Sequence, residues 1–460
     1  MSLPKLFISK PSFLKPSSYL SISIAAICGL SSINAYSEET DQERIKNLEK
    51  RLFELEQQVQ KSQSNEQSKK SNTQSKSAVS IIPKTMQRPS HVFDAPDKSI
   101  VLSNSNTTLQ LGGQIWLDAI YNNGEMTNRA GFQPSSIAYE ANTTKDNTLF
   151  HVGPSNLFVK SFTPTKYGAM TTRFEFDLFD DQGNASINLT HIWGEIDGFG
   201  AGQTFTGFMD INAFPNILDL WGPNSLVFAR QPQVRYRTNI NKKSRLSFTI
   251  EKSASDFAVP KNSTGGSYND ITELPDFTAA YKYSDDFGYV NAAMIIRKLG
   301  YETTSTKDST LGWGINVTGN LDVSTDDSIQ FQLAYGEGIG RYLNDTCCSY
   351  YSDETGGIDG GLDGNGDLVP IPVTAGYLFY NKQWSKKWSS AIGYSYLTVD
   401  NLVTQKDYAL KNSSYMSSNL IWYPTTQVKA GVEVLYGDVQ SNSGLEADNY
   451  RLQMSVGFKY

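Results

Sequence analysis

Charged residues recur at every second position in several short runs of this 460-residue chain. In TTRFEFDLF, Arg173, Glu175 and Asp177 alternate with Phe174, Phe176 and Leu178. In QVRYRTNI, Arg235 and Arg237 alternate with Val234 and Tyr236. Residues two apart on a strand point the same way, so each run has a charged face and an apolar face. Lys160, Arg245, Glu251, Lys282, Arg297, Lys429, Glu433 and Arg451 fall on the inward face by the same rule. Basic residues outnumber acidic ones in this set, although the whole chain carries a formal charge of −7. The chemistry this supports is electrostatic. A cationic interior, with the excess acid left to loops and turns, attracts small anions. The bland alternative is that these charges pair with one another across a wall.

Bond-making chemistry has little to work with. The chain has three histidines, His91, His151 and His191, and no Ser/His or Asp/His set of the kind a barrel hydrolase needs. His191, in NLTHIWGEID, reads as a wall histidine, so no catalytic residue is assigned. GFGAG (198–202) lacks the helix a dinucleotide loop requires and reads as a turn. DGNGD (363–367) resembles the start of a calcium loop. Leu368 replaces the required glycine and no bidentate Glu follows, so a surface ion on Asp359, Asp363 and Asp367 is the lesser alternative to a solvated acidic loop. Cofactors and resident metals are not expected. Cys347 and Cys348 are adjacent; a plain loop pair is preferred to a vicinal disulfide. With no basic stripe, nucleic acid is not a partner.

The elements that must position the charges are strands. NYRLQMSVGFKY keeps Tyr450, Leu452, Met454, Val456, Phe458 and Tyr460 on one parity, for about the length a tilted strand needs to cross a bilayer. About sixteen such runs follow one another from residue 107 to the end. Tight breaks such as TPTKYG, SDDFG and YPTTQ alternate with mostly longer ones, among them Asn122–Thr148, Gly300–Thr310, Gly340–Leu368 and Gly437–Asn449. An outer-membrane barrel alternates in this way, with short turns at one rim and long loops at the other. The predicted fold is an all-β transmembrane barrel of 16 antiparallel strands. It is rich in Tyr, Phe and Gly, and its average hydropathy is diluted because every second residue faces inward.

The N-terminal quarter is different. Residues 1–35 read as an export signal, with a basic start and the apolar core YLSISIAAICGL; bulky Ile27 argues against lipidation of Cys28. Residues 36–60 hold Ile45, Leu48, Leu52, Leu55 and Val59 at alternating spacings of 3 and 4, a short periplasmic coiled-coil helix through which copies of the chain are expected to associate. Residues 61–106 read as a polar tether and approach segment.

GQTFTGFMDINAFPNILDLWGPN (202–224) breaks the alternation with aromatics, Pro215, Pro223, Asp210 and Asp219. It falls in the third long loop. Folded into the barrel, residues 209–227 would form a constriction, and Asp210 and Asp219 would meet arginines there. GQTFTGFMD, FP (214–215), LD (218–219), GP (222–223) and RQPQVRY (230–236) resemble the DcaP-like outer-membrane porins. The resemblance departs at Phe205, where Trp is expected, and at Pro232, where a small residue is expected. It implies a trimeric sixteen-stranded barrel in the outer membrane of a Gram-negative bacterium, in contact with outer-membrane lipid. It also implies passive uptake of small organic anions, dicarboxylates especially, past a basic constriction at Arg173, Arg230, Arg235, Arg237 and Arg297. Arg230 lies on the outward phase of its run, and Arg297 on a run that is apolar on both faces. The alternatives are a plugged barrel that anchors the envelope through its coiled coil and, more weakly, a surface adhesin.

Overall fold

The computed structural model describes residues 100–102, 106–139, 148–258, 260–261, 269–303, 306–346 and 358–460. The expected signal, coiled coil and tether, with Cys347 and Cys348, lie outside the described residues. Among the described residues sixteen antiparallel strands close into a barrel. They are β1 (Thr108–Asn122), β2 (Asn156–Thr165), β3 (Gly168–Asp177), β4 (Asn188–Ile196), β5 (Phe199–Phe205) and β6 (Arg230–Asn239). Next come β7 (Ser244–Glu251), β8 (Asp276–Asp285), β9 (Gly288–Glu302), β10 (Lys307–Asp322) and β11 (Asp327–Glu337). The last five are β12 (Pro372–Ser385), β13 (Trp388–Val399), β14 (Leu410–Thr425), β15 (Val428–Ser441) and β16 (Glu446–Lys459). Each strand pairs with its neighbours in sequence, and β1 pairs with β16 from Gln114↔Lys459 to Asn122↔Arg451. Closure leaves no long open edge in the membrane, the condition under which strands can span it. No α-helix occurs among the described residues; three single 3-10 turns sit in loops.

Two expected long connections are strand instead. β9 and β10 pair as far as Glu302↔Lys307, and β15 and β16 as far as Gln440↔Glu446. Their alternation is weaker near the ends because those residues stand above the membrane and need no apolar face.

The outward residues are those the alternation predicts. Phe174, Val234, Tyr236, Leu452, Met454 and Phe458 are all exposed on the outer surface. Inside, burial is strongly one-sided. Loop 206–229 runs along the inner faces of β10–β16, where wall side chains satisfy its backbone one after another. Asn316 donates to the Phe208 carbonyl (2.9 Å), Gln330 to Phe214 (3.0 Å), Tyr377 to Ala213 (3.0 Å), Asn419 to Asn216 (2.9 Å) and Lys429 to Ile217 (3.2 Å). Glu433 accepts the N–H groups of both Leu218 and Asp219. An irregular segment can lie inside a barrel only if its polar backbone is paired in this manner. Its apolar side chains supply the core: Phe208, Phe214, Ile217, Leu218, Leu226 and Val227 are buried.

Two further loops join it. In loop 123–155 the carbonyls of Arg129, Ala130 and Gly131 accept from Arg451, and Phe132 packs edge-on against Tyr415. In loop 338–371 Leu343 bridges Val227, and Asn344 donates to the Trp221 carbonyl (2.8 Å). Asp345 accepts from the Ser135 N–H (3.1 Å) and from the Ser413 hydroxyl (2.8 Å), and so fastens loops 123–155 and 338–371 to β14.

Candidate functional site

With β10–β16 covered, the inner faces of β2–β8 hold the water-exposed cations. The ladder registers set their heights. Lys160, Arg173, Trp193, Gly202 and Gln233 are successive cross-strand partners and form one inward row. The next row toward the short-turn rim contains Glu195, Gly200, Arg235 and Thr249. Below it lies Arg237, opposite Ser247, and below that Arg245 stands directly opposite Lys282. The cations therefore descend as a staircase, two residues or roughly 7 Å of strand per step.

Carboxylates offset this wall only in part. Glu175 pairs with Arg173, and Glu195 with Arg237. Asp210, on the inner loop, lies 4.0 Å from Lys282. Arg235 is held differently. Its Nε and Nη2 donate to the Gln233 side-chain oxygen at 3.1 and 2.7 Å, and Nη2 also donates to the Phe205 carbonyl. All of these acceptors are neutral, and among the described residues Arg235 forms no ion pair. The guanidinium lies over the Trp193 ring, 5.4 Å from its centroid. Its position is thus fixed by neutral acceptors, without a carboxylate in ion-pair contact.

The sequence-predicted residues thus divide. Arg173, Arg235 and Arg237 share the open wall, whereas Glu175 is buried beside Arg173. Arg230 is the first residue of β6, and its guanidinium lies between the Phe205 and Phe228 rings at 5.0 and 4.8 Å. Phe205, where the resemblance leads one to expect Trp, thus forms one side of that sandwich and also packs edge-on against His191. Arg297 is fully buried. It donates to Asp276 (3.1 Å), Asp359 (2.8 Å) and the Gly338 carbonyl (2.7 Å), which makes it a clasp for loop 338–371 out of reach of solutes. Asp219 is 1% exposed and accepts from Tyr415 (3.2 Å). It forms no ion pair with an arginine among the described residues, and Asp210 faces a lysine. The acidic trio also separates: Asp359 is the buried partner of Arg297, while Asp363 caps its own turn through the Asn365 and Asp367 N–H groups. Among the described residues no acidic or histidine cluster suits a metal ion.

Trp193 and Gln233 were not singled out from the sequence. The alternation in NLTHIWGEID places Trp193 inward, but that it underlies Arg235 follows only from the register across three strands.

Residues 31–460 match the family model of the DcaP outer membrane protein. The fold is similar to that of the outer membrane channel DcaP of Acinetobacter baumannii, with a TM-score of 0.67 at 20% identity, over 79% of this chain and 100% of that one. It is also similar to outer-membrane expressed OmpT of Vibrio cholerae, with a TM-score of 0.50 at 13% identity, over 78% and 100% of the two chains. At these identities the likeness concerns the fold. No curated protein sequence matches. The family match spans nearly the whole chain, the closed sixteen-stranded barrel agrees with it, and the chain belongs to the DcaP family of outer-membrane channel proteins.

Proposed function

We propose that this protein is a passive diffusion channel for small hydrophilic solutes whose path descends the basic wall of β2–β8 opposite loop 206–229, and that it prefers organic anions, dicarboxylates among them. Three copies form the working unit in this reading. The observation that carries it is Arg235, fixed by neutral acceptors on the water-exposed wall with its charge left for a passing anion. Charge held in a narrow low-dielectric passage selects ions by sign more strongly than the same charge in open water. Reversal potential across a bilayer with a potassium chloride gradient tests the preference, and cation selectivity overturns it.

A second reading, a plugged barrel that anchors the envelope, draws support from the three loops packed inside. Liposome swelling separates the two. Solute entry favours the channel, whereas a closed pore with loss of envelope integrity on deleting 41–60 favours the anchor.

A further inference from the structure

One patch of the outer surface, on β6–β9, is concave. Its outward residues form two cross-strand rows. The row nearer the long-loop rim runs from Val234 through Ile250 and Phe277 to Ile296. In the next row Ala279 is flanked by Phe248 on β7 and Met294 on β9. A single methyl between two long side chains leaves an apolar groove of about 430 Å³. Gly319 and Gly376, also outward, are by contrast closed over by Phe331 and Leu333.

Positive charge stands directly above the groove. β7 ends at Glu251, but the Lys252 N–H still donates to the Pro232 carbonyl, so the register runs on and Lys252 lies one row above Ile250 on the outward side. Lys252 is exposed, and among the described residues it forms no ion pair. Two strands along, Lys298 lies one row above Ile296, roughly 10 Å away at the usual strand spacing. Glu273 pairs with Lys298 and, at 2.8 Å, with Lys307. Glu302 stands opposite Lys307 nearer the rim, so the patch holds three lysines against two glutamates. Trp313, opposite Ile296, marks the level of the membrane interface. The lysines therefore meet lipid headgroups, while the groove beneath them meets acyl chains.

We propose that this patch is a specific binding site for a phosphorylated glycolipid of the outer leaflet, with one acyl chain in the groove at Ala279 and phosphates on Lys252 and Lys298. The groove supplies shape for the chain, and the unpaired Lys252 supplies charge complementary to a phosphate. Because the two lysines stand apart, a broad sugar headgroup with more than one phosphate engages both at once, which favours a glycolipid over a single-phosphate phospholipid. The proposal rests on the membrane location and not on anion preference, so either can fail alone.

Native mass spectrometry of the full-length protein, extracted from outer membranes in mild detergent, tests it. The parent protein should retain a phosphorylated glycolipid. In Lys252→Ala/Lys298→Ala the affinity for added glycolipid should fall by about twenty-five-fold, about fivefold for each ammonium removed. Ala279→Trp fills the groove and should also lose the lipid with both lysines intact. Lys386→Ala/Lys387→Ala, at a turn on the opposite rim, should retain it. Heat-shifted migration on gels confirms that each variant is a closed barrel. A parent protein that carries no lipid or phospholipid alone, or glycolipid retained equally by all the variants, overturns the proposal.

Discussion

Arg245 on β7 and Lys282 on β8 are direct cross-strand partners, and both face the lumen. Lys160 and Arg173 repeat the arrangement between β2 and β3. Like charges placed opposite each other destabilise a sheet, and the register that brings them together is fixed by the apolar outer face, which cannot slip by one residue. Asp210 is the carboxylate that approaches the lower pair, from the inner loop rather than from the wall. The positive wall is thus built at some cost to stability, as expected where charge serves function.

Arg235→Gln should lower the anion-to-cation permeability ratio by a factor of about seven, about threefold from the anion and about threefold in the opposite sense from the cation. One unit charge roughly 7 Å from an ion in water contributes about 0.6 kcal/mol. Reversal potentials measured at low and high salt would check it. The difference should shrink as salt rises, because screening shortens the reach of the charge.

Asp210→Asn removes the acid that faces Lys282 and should raise anion preference by a similar factor. Asp363→Asn, in a solvated turn, should change nothing. Asp219→Asn is predicted to act differently from Asp210→Asn. Its carboxylate is buried, so the variant should disturb loop placement and show as altered conductance rather than altered ion selectivity.

Glu433→Ala leaves the Leu218 and Asp219 N–H groups of the inner loop without an acceptor. A buried donor left unsatisfied costs about 1–3 kcal/mol. The variant should unfold at a lower temperature in detergent, and its single-channel current should be larger or noisier as loop 206–229 comes away from the wall.

The clasp at Asp345 should depend on pH. Burial raises its carboxyl from 3.8 to about 7, with hydrogen bonds from Ser135 and Ser413 opposing the shift. A raised carboxyl pKa means that the folded loops hold the proton where the unfolded chain has released it. The clasp is therefore strongest below about pH 4, weakens as pH rises to about 7, and is level above that. Limited proteolysis of loop 338–371 should be slower at pH 5 than at pH 8. Asp345→Asn, neutral throughout, should flatten that difference; equal protection in the parent protein at both pH values would count against the clasp.

Strand existence, strand facing and the closed barrel were legible along the chain because side-chain direction in a strand repeats every two residues, a local property. Arg173, Arg235 and Arg237 were placed inward on that ground alone, and 202–224 stood out because it breaks the repeat. What the local pattern could not decide is which inward charges stay open to water. That depends on contacts between residues far apart in sequence, such as Leu218 with Glu433, 215 positions away, and Arg297 with Asp359, 62 positions away. Arg297 and Arg235 both fall on the inward phase of their runs as sequence. Loop 338–371 buries the first between two carboxylates, while the second is held by an amide and a carbonyl on the uncovered wall. Tertiary packing removed one from the pore and left the other in it, because burial and pairing, unlike side-chain direction, are set by what the rest of the chain brings alongside.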